Sequence, residues 1–376
     1  MRVLVVNAGS SSLKVSLVAD DDSTILEHDF KASAGRFDDS ELRSAVHEME
    51  GVEGVEGVEG VEAVGHRVVH GGPRYPASVR VDAELVDYLR SISDLAPLHL
   101  PASLAGIAAV QSMLPGVPAV ACFDTAFHSG LPPGASTYAV PLEWRTRLGI
   151  RRYGFHGFSH AYAARRAAEV LRRPEPSFRV VTCHLGAGAS LAAVLGGRSL
   201  DTTMGFTPME GLVMATRSGS VDPGMVLWLQ RHEGMAEPEL SEALDLRSGL
   251  YALAGVADLK EVVRRATTGD DRSRLALDVY VHRLRSGIAS MAAAMNGLDA
   301  VVFTGGVGEH SAPVRADAVR GLSFLGLEIS PELNDKVSGD ADISAPGAAA
   351  KTLVVHARED VEVARDVRRV ISESGT

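Results

Sequence analysis

The chain has 376 residues, more than one hydrophobic core usually organises, so two domains are expected. Hydrophobic residues make up 45% of it, which excludes a disordered polymer; the formal charge of −11, with lysines and arginines scattered, argues against nucleic-acid and anionic-membrane partners. Two cysteines, Cys122 and Cys183, each close an apolar strand-like run and point to a reducing compartment. The apolar run before Asn7 is too short for a signal peptide and no later one could span a bilayer, so a cytoplasmic protein is the expectation.

Residues 3–7, VLVVN, read as a buried strand; the turn AGSSS and the alternating run 13–19 make a β-hairpin with a polar tip. A third strand at 25–30 precedes a charged helix-like stretch and then GVE repeated over residues 51–62. Without proline that glycine spacing cannot hold a collagen-like triple helix, and an acidic surface loop is expected. Strand 63–70, helices over 82–95 and 102–114, and strand 117–123 complete a βββαβα-like first half.

A second set begins near Gly149: helix 159–172, strand 178–184, the turn LGAGA and strand 190–197. Asn7 and His184 hold matching positions, each after an apolar strand and before a small-residue turn and a second strand, so the halves read as duplicated lobes. A long helix over 271–295 leads to strand 300–304, the turn GGVGEH and a new helix. Strand 352–356 and a helix over 360–371 end the chain, the helix returning to the first lobe. The expected domains are 1–148 plus 361–376, and 149–360.

Three turns could receive phosphate. The tip of NAGSSSLK offers backbone amides, the hydroxyls of Ser10 and Ser12, and Lys14; HLGAGAS and GGVGEH offer glycine turns at strand and helix ends. Each alone is equally an ordinary turn, and the three together favour a nucleotide. Arg67 and Arg217 lie among apolar or small neighbours, where each needs an anion, either a structural carboxylate or a transferring phosphoryl group. Asp124 follows a strand, where α/β proteins place ligand groups and where turn caps are also common. His156 could donate to a developing negative charge or simply pack, and Glu359 could favour a helix start or bind a metal. A Walker loop, a GxSxG elbow, HExxH and zinc-spaced cysteines are all missing.

In order and content, NAGSSSLK, GHRVVHGG, DLAPLH, FDTAFH, RRYGFHGFSH, CHLGAGAS, DTTMGFTPMEGL, TRSG and FTGGVGE resemble the acetate kinase family over nearly the whole chain. The resemblance implies an α/β fold of two duplicated actin-like, ribonuclease H-like lobes with a nucleotide cleft between them. It implies phosphoryl transfer between ATP and acetate, with Mg²⁺ or Mn²⁺ as cofactor, ATP/ADP as co-substrate and a homodimer formed through the second lobe. By motif, Asn7 and Glu359 would hold the metal, while Ser10, Ser12 and Lys14 would face the phosphates. Arg67 would hold the substrate carboxylate, Asp124 would position metal or substrate, and His156 and Arg217 would stabilise the transition state. Val69, Leu98, Phe155 and Pro208 would shape the pocket for the methyl group. The nucleotide would meet His184, Leu185, Gly186, Ala187 and Gly188; Asp258, Leu259 and Lys260; and Gly306, Val307, Gly308, Glu309 and His310.

The chain departs from the family pattern at Ala187, Leu100, Phe158, His310, Ala357, Arg358 and Lys260, mostly on the nucleotide side. A pyrophosphate donor therefore stands beside ATP, and propionate or butyrate beside acetate. From a different class, an actin-like or chaperone-like nucleotide switch shares the fold but has no use for a carboxylate clamp.

Overall fold

The computed structural model describes residues 1–8, 12–31, 60–97, 99–173 and 175–373. The charged stretch after the third strand, most of the GVE repeat, Ser10 and Leu98 lie outside them. The chain divides into two compact units, 1–129 with 358–376 and 130–357, whereas the sequence places the boundaries at 148/149 and 360/361. Residues 130–148 go with the second unit because the short helix Pro133–Ser136 packs on one of its strands and the Ser136 carbonyl accepts from the Arg152 N–H at 2.8 Å.

In the first unit, strands β1 (Val3–Ala8), β2 (Ser12–Val18) and β3 (Thr24–Lys31) form an antiparallel meander. Strands β4 (Ala63–Val68) and β6 (Ala119–Phe123) run parallel to β1 beyond it, and β5 (Val79–Arg80) closes the edge antiparallel, giving the order β3-β2-β1-β4-β6-β5. Strand β5 is two residues long, too short for alternation to reveal it. The expected helix 82–95 is α1 (Ala83–Ser91), started by the Asp82 carboxylate accepting from the Leu85 N–H, followed by a separate tight turn over Ser93–Leu95. Helix α2 (Leu100–Met113) begins two residues before its expected start, with Pro101 in the first turn, where a missing N–H costs nothing.

Leu4, Val6, Leu13, Val15 and Leu17 on one face of the sheet join Ala102 and Val110 of α2 in a buried core. The helix Glu359–Glu373 packs against β1, β4 and β6 and brings its buried Val363 and Val367 close to Gly65, where a Cβ would lie 2.7 Å from Val367 and 2.8 Å from Val363. Glycine is needed at that point for the helix to approach the sheet.

The second unit repeats the plan. Strands β7 (Arg179–Leu185), β8 (Ala189–Leu195) and β9 (Arg198–Thr202) form a meander, β10 (Ala300–Thr304) and β12 (Lys351–Val354) continue it in parallel, and β11 (Ala341–Asp342) is the antiparallel edge. Its order, β11-β12-β10-β7-β8-β9, is that of the first sheet read from the other edge. Helix α3 (Gly157–Leu171) precedes β7; α4 (Pro223–His232), α5 (Leu259–Thr267) and α6 (Asp271–Ala294) lie between β9 and β10; α7 (Gly305–His310) and α8 (Ala312–Arg320) follow β10. Cys122 and Cys183 are buried free thiols. Among the described residues no helix is long and apolar enough to cross a membrane.

Candidate active site

Parallel pairing places the polar groups of the first unit side by side. Asn7 at the end of β1 is in register with Arg67 on β4, and Arg67 with Cys122 on β6, so Asp124 emerges one residue past β6 beside them. The Asp124 N–H donates to the Val68 carbonyl at 3.0 Å, which fixes the residue to the end of β4. Arg67 grips the Asp124 carboxylate with both prongs, Nε to Oδ1 at 2.8 Å and Nη2 to Oδ2 at 2.6 Å, and donates from Nη1 to Asn7 Oδ1 at 2.9 Å. Glu359, first residue of the C-terminal helix, brings its carboxylate to 3.6 Å from Arg67 Nε. Burial alone would lower the Arg67 pKa, but Asp124 and Glu359 outweigh it and hold the guanidinium firmly charged. Val69 is buried just beyond β4, and the Ser12 backbone opens β2. Lys14 reaches Glu27 at 2.8 Å through an exposed pair, which is weak.

The second unit gathers the imidazoles. His156 stands before α3 with φ 55°, a left-handed backbone that is uncommon outside glycine and sets its ring apart from the helix. That ring stacks on His184 with centroids 4.2 Å apart, and His156 Nδ1 lies 2.9 Å from Ser190 Oγ. His184 Nδ1 meets Ser159 Oγ at 2.7 Å. A Cβ on Gly188 would come within 3.4 Å of His156 Nε2 and 3.7 Å of Arg217 Nη1, so ring and guanidinium both border the place a methyl on this glycine would take. Arg217 donates to the Pro208 carbonyl at 3.3 Å and lies 3.5 Å from Asp245. Burial lowers the Arg217 pKa and raises that of Asp245, their mutual attraction only partly opposing it, so this pair leaves more unbalanced electrostatic demand than Arg67 with Asp124. Gly249, at φ 62°, lets the chain pass beneath the Arg217 loop, where a Cβ would fall 2.7 Å from the Arg217 carbonyl oxygen. Phe155 is buried beside His156 in sequence.

A cavity of about 150 Å³ in the same unit is lined by Gly186, Ala187, Asp258, Leu259 and Val307 among the expected nucleotide residues, with Ala215 and Tyr280 joining them. Asp258 also caps α5, accepting from the Lys260 N–H at 2.9 Å. Leu185 is buried at the end of β7. Gly306 and His310 are exposed, and a Cβ on Gly308 would press to 3.2 Å from the Phe303 carbonyl carbon. Glu309 serves the backbone. It accepts from the N–H groups of Gly305 and Ala357, each at 3.0 Å, and meets His356 Nδ1, tying the turn after β10 to the turn after β12. Arg315 holds that turn from below through the carbonyls of Gly308 and Glu309.

The acetokinase family model matches residues 27–365. The chain belongs to the acetokinase family. It is 51% identical over 305 residues to an acetate kinase of Gloeobacter violaceus, covering 81% of this chain and 75% of that one. The crystal structure of Porphyromonas gingivalis acetate kinase superposes with a TM-score of 0.88 at 34% identity, covering 98% of this chain and 99% of that one. That of a propionate kinase from Francisella tularensis gives 0.89 at 32% identity, with the same coverage.

Ser190, Asp245, Tyr280 and Arg315 were not singled out in the sequence. Ser190 had a signal, since an antiparallel pairing of β7 and β8 sets it opposite His184; Tyr280 lies among the buried residues of α6 and reads there as core. Magnesium prefers hard oxygen donors and keeps several waters. The Asn7 amide oxygen and the carboxylates of Asp124 and Glu359, gathered about one guanidinium, fit that preference. Among the described residues no cluster of three or more His, Cys, Asp or Glu forms a closed metal cage, and an ion carried mainly by phosphates and water needs none.

Proposed function

We propose that this family member transfers the γ-phosphoryl group of ATP reversibly to acetate, giving acetyl phosphate and ADP. The observation that carries this reading is Arg67, held charged at the ends of parallel strands by Asp124, Asn7 and Glu359. Asp124 takes one N–H each from Nε and Nη2 and Asn7 takes one from Nη1, which leaves one N–H on each terminal nitrogen for the substrate carboxylate. The acetate carboxylate is already ionised near neutrality, so no strong base is required. Asp124 therefore aims Arg67 rather than removing a proton. His156 and Arg217, flanking Gly188, donate to the equatorial oxygens of the phosphoryl group, where charge is spread in the transition state. The cavity lined by Ala187, Asp258 and Val307 receives the nucleoside. Asn7 and Glu359 would hold Mg²⁺, whose contribution is to neutralise polyphosphate charge.

Val69, Phe155 and Pro208 are assigned to the acyl pocket, and Lys14 to the phosphates. The chain acts as a homodimer in the cytoplasm: the buried thiols suit a reducing compartment, and Val221, Met225, Leu227 and Trp228, on and beside α4 of the second unit, form an exposed apolar run suited to a second copy. A hydroxamate assay with acetate, propionate and butyrate, each with ATP and with pyrophosphate, tests the reaction. Acetyl hydroxamate formed with ATP, lost on chelation and restored by Mg²⁺, is expected. Propionate outperforming acetate would reassign the substrate to that of the Francisella tularensis relative, and no acyl phosphate with any pair would refute the reading.

A further inference from the structure

His156 belongs to a buried row of hydrogen bonds that the reaction as described does not use. Thr182 Oγ1 lies 2.7 Å from His160 Nδ1, His160 Nε2 lies 2.8 Å from Ser190 Oγ, and Ser190 Oγ lies 2.9 Å from His156 Nδ1. Thr182, His160 and Ser190 are fully buried, so water does not complete their bonding. Building on the role given to His156 above, we propose that Ser190, His160 and Thr182 are positioning residues that keep the His156 hydrogen on Nε2, the ring edge beside Gly188 and Arg217.

The hydrogen count imposes the direction. A neutral imidazole has one N–H and one lone pair, and a hydroxyl has one hydrogen to give. At the closed end of the row, the alternative acceptor for the Thr182 hydroxyl among the described residues is the Ala192 carbonyl at 3.5 Å, the outer limit of a hydrogen bond. Its hydrogen therefore goes to His160 Nδ1. His160 then carries its own on Nε2 and donates to Ser190, which donates in turn to His156 Nδ1. The His156 hydrogen is left on Nε2, aimed where an anion would be received. Reversing every bond consigns the Thr182 hydrogen to the 3.5 Å contact, and letting Ser190 accept from both rings strands its own hydrogen in the interior. The stacked His184 ring, held by Ser159, fixes the plane in which the donor points. His156 can thus donate to phosphoryl oxygens without first being protonated.

The test is Thr182→Val, which removes the hydroxyl at nearly constant shape, compared with Thr182→Ser, which restores it. In protein labelled with ¹⁵N-histidine, the His156 signals, assigned by their loss in His156→Gln, should show a bare Nδ1 and a protonated Nε2 in the unsubstituted chain. Thr182→Val should mix the two tautomers. A donor present on only a fraction of the rings scales kcat by that fraction, so an even mixture should lower kcat about twofold, with KM for acetate and ATP unchanged and Thr182→Ser recovering both readouts. Ser190→Ala, which cuts the row at its centre, gives the same nitrogen readout if Thr182→Val fails to fold. A hydrogen on Nδ1 in the unsubstituted protein, or a folded break in the row that leaves the nitrogen pattern intact whatever its kcat, overturns the proposal. The nitrogen signals need no turnover: an inactive unsubstituted protein would defeat the acyl-kinase reading while the tautomer still decides this one.

Discussion

Asp124→Asn separates aiming from proton transfer. The Asp124 side chain is 2% exposed, and both its oxygens bond Arg67. Asparagine keeps the volume but supplies one acceptor where two are needed, and it turns an N–H₂ toward guanidinium N–H groups. Glu359, 3.6 Å from Arg67 Nε, is then the nearest remaining carboxylate. Removing one partner of a buried pair costs about 3–5 kcal/mol, and the retained Glu359 puts this case near about 3 kcal/mol. For a unit of this size each kcal/mol moves Tm by about 2–4 °C, so the first unit should melt about 6–12 °C lower by calorimetry. A guanidinium displaced by about 1 Å can lower catalysis about 100-fold, which the hydroxamate assay with ATP and acetate would read. A variant with near-full activity and a Tm within about 2 °C of the unsubstituted protein would refute the reasoning.

Gly188→Ala should leave Tm nearly unchanged, because a methyl there makes ordinary contacts at 3.4 Å or more, yet turnover should fall since the methyl occupies the spot bordered by His156 and Arg217. Arg315→Ala should be strongly destabilising in urea unfolding: the guanidinium bonds the Gly308, Glu309 and Asn334 carbonyls and the Asn334 side-chain oxygen, and each buried acceptor left bare costs about 1–3 kcal/mol. Asp299 is held below its ordinary 3.8, chiefly by the Arg179 side-chain hydrogen bond. A depressed carboxyl stabilises the fold above 3.8 and loses that effect as pH falls through the folded-state value, so Asp299→Asn should lower Tm near neutrality and the deficit should shrink below pH 3.8.

The local frame could be read because its signals are local. The run VLVVN is apolar on both faces, the alternation of residues 13–19 sets the hairpin, and the same layout returning around His184 betrays the duplication. The bonds of Arg67 could not be read. They depend on β1, β4 and β6 standing side by side, a neighbour relation set by crossover connections rather than by any local pattern. Glu309 marks another limit of local reading: a glycine turn before a helix looks ready for phosphate, while the bond its glutamate accepts from the Ala357 N–H, 48 residues onward, has no sequence signal. Asp258 combines two uses, capping a helix and lining the cavity, and only the cap has a sequence signature.

Because the two sheets share one strand order, each rung of the first has a counterpart in the second. Arg67, paired with Asn7 across β1 and β4, corresponds to Thr304, paired with His184 across β7 and β10. One copy presents a permanent cation there, the other a neutral hydroxyl that meets no partner among the described residues. The halves are therefore alike as scaffolds and unlike as chemistry.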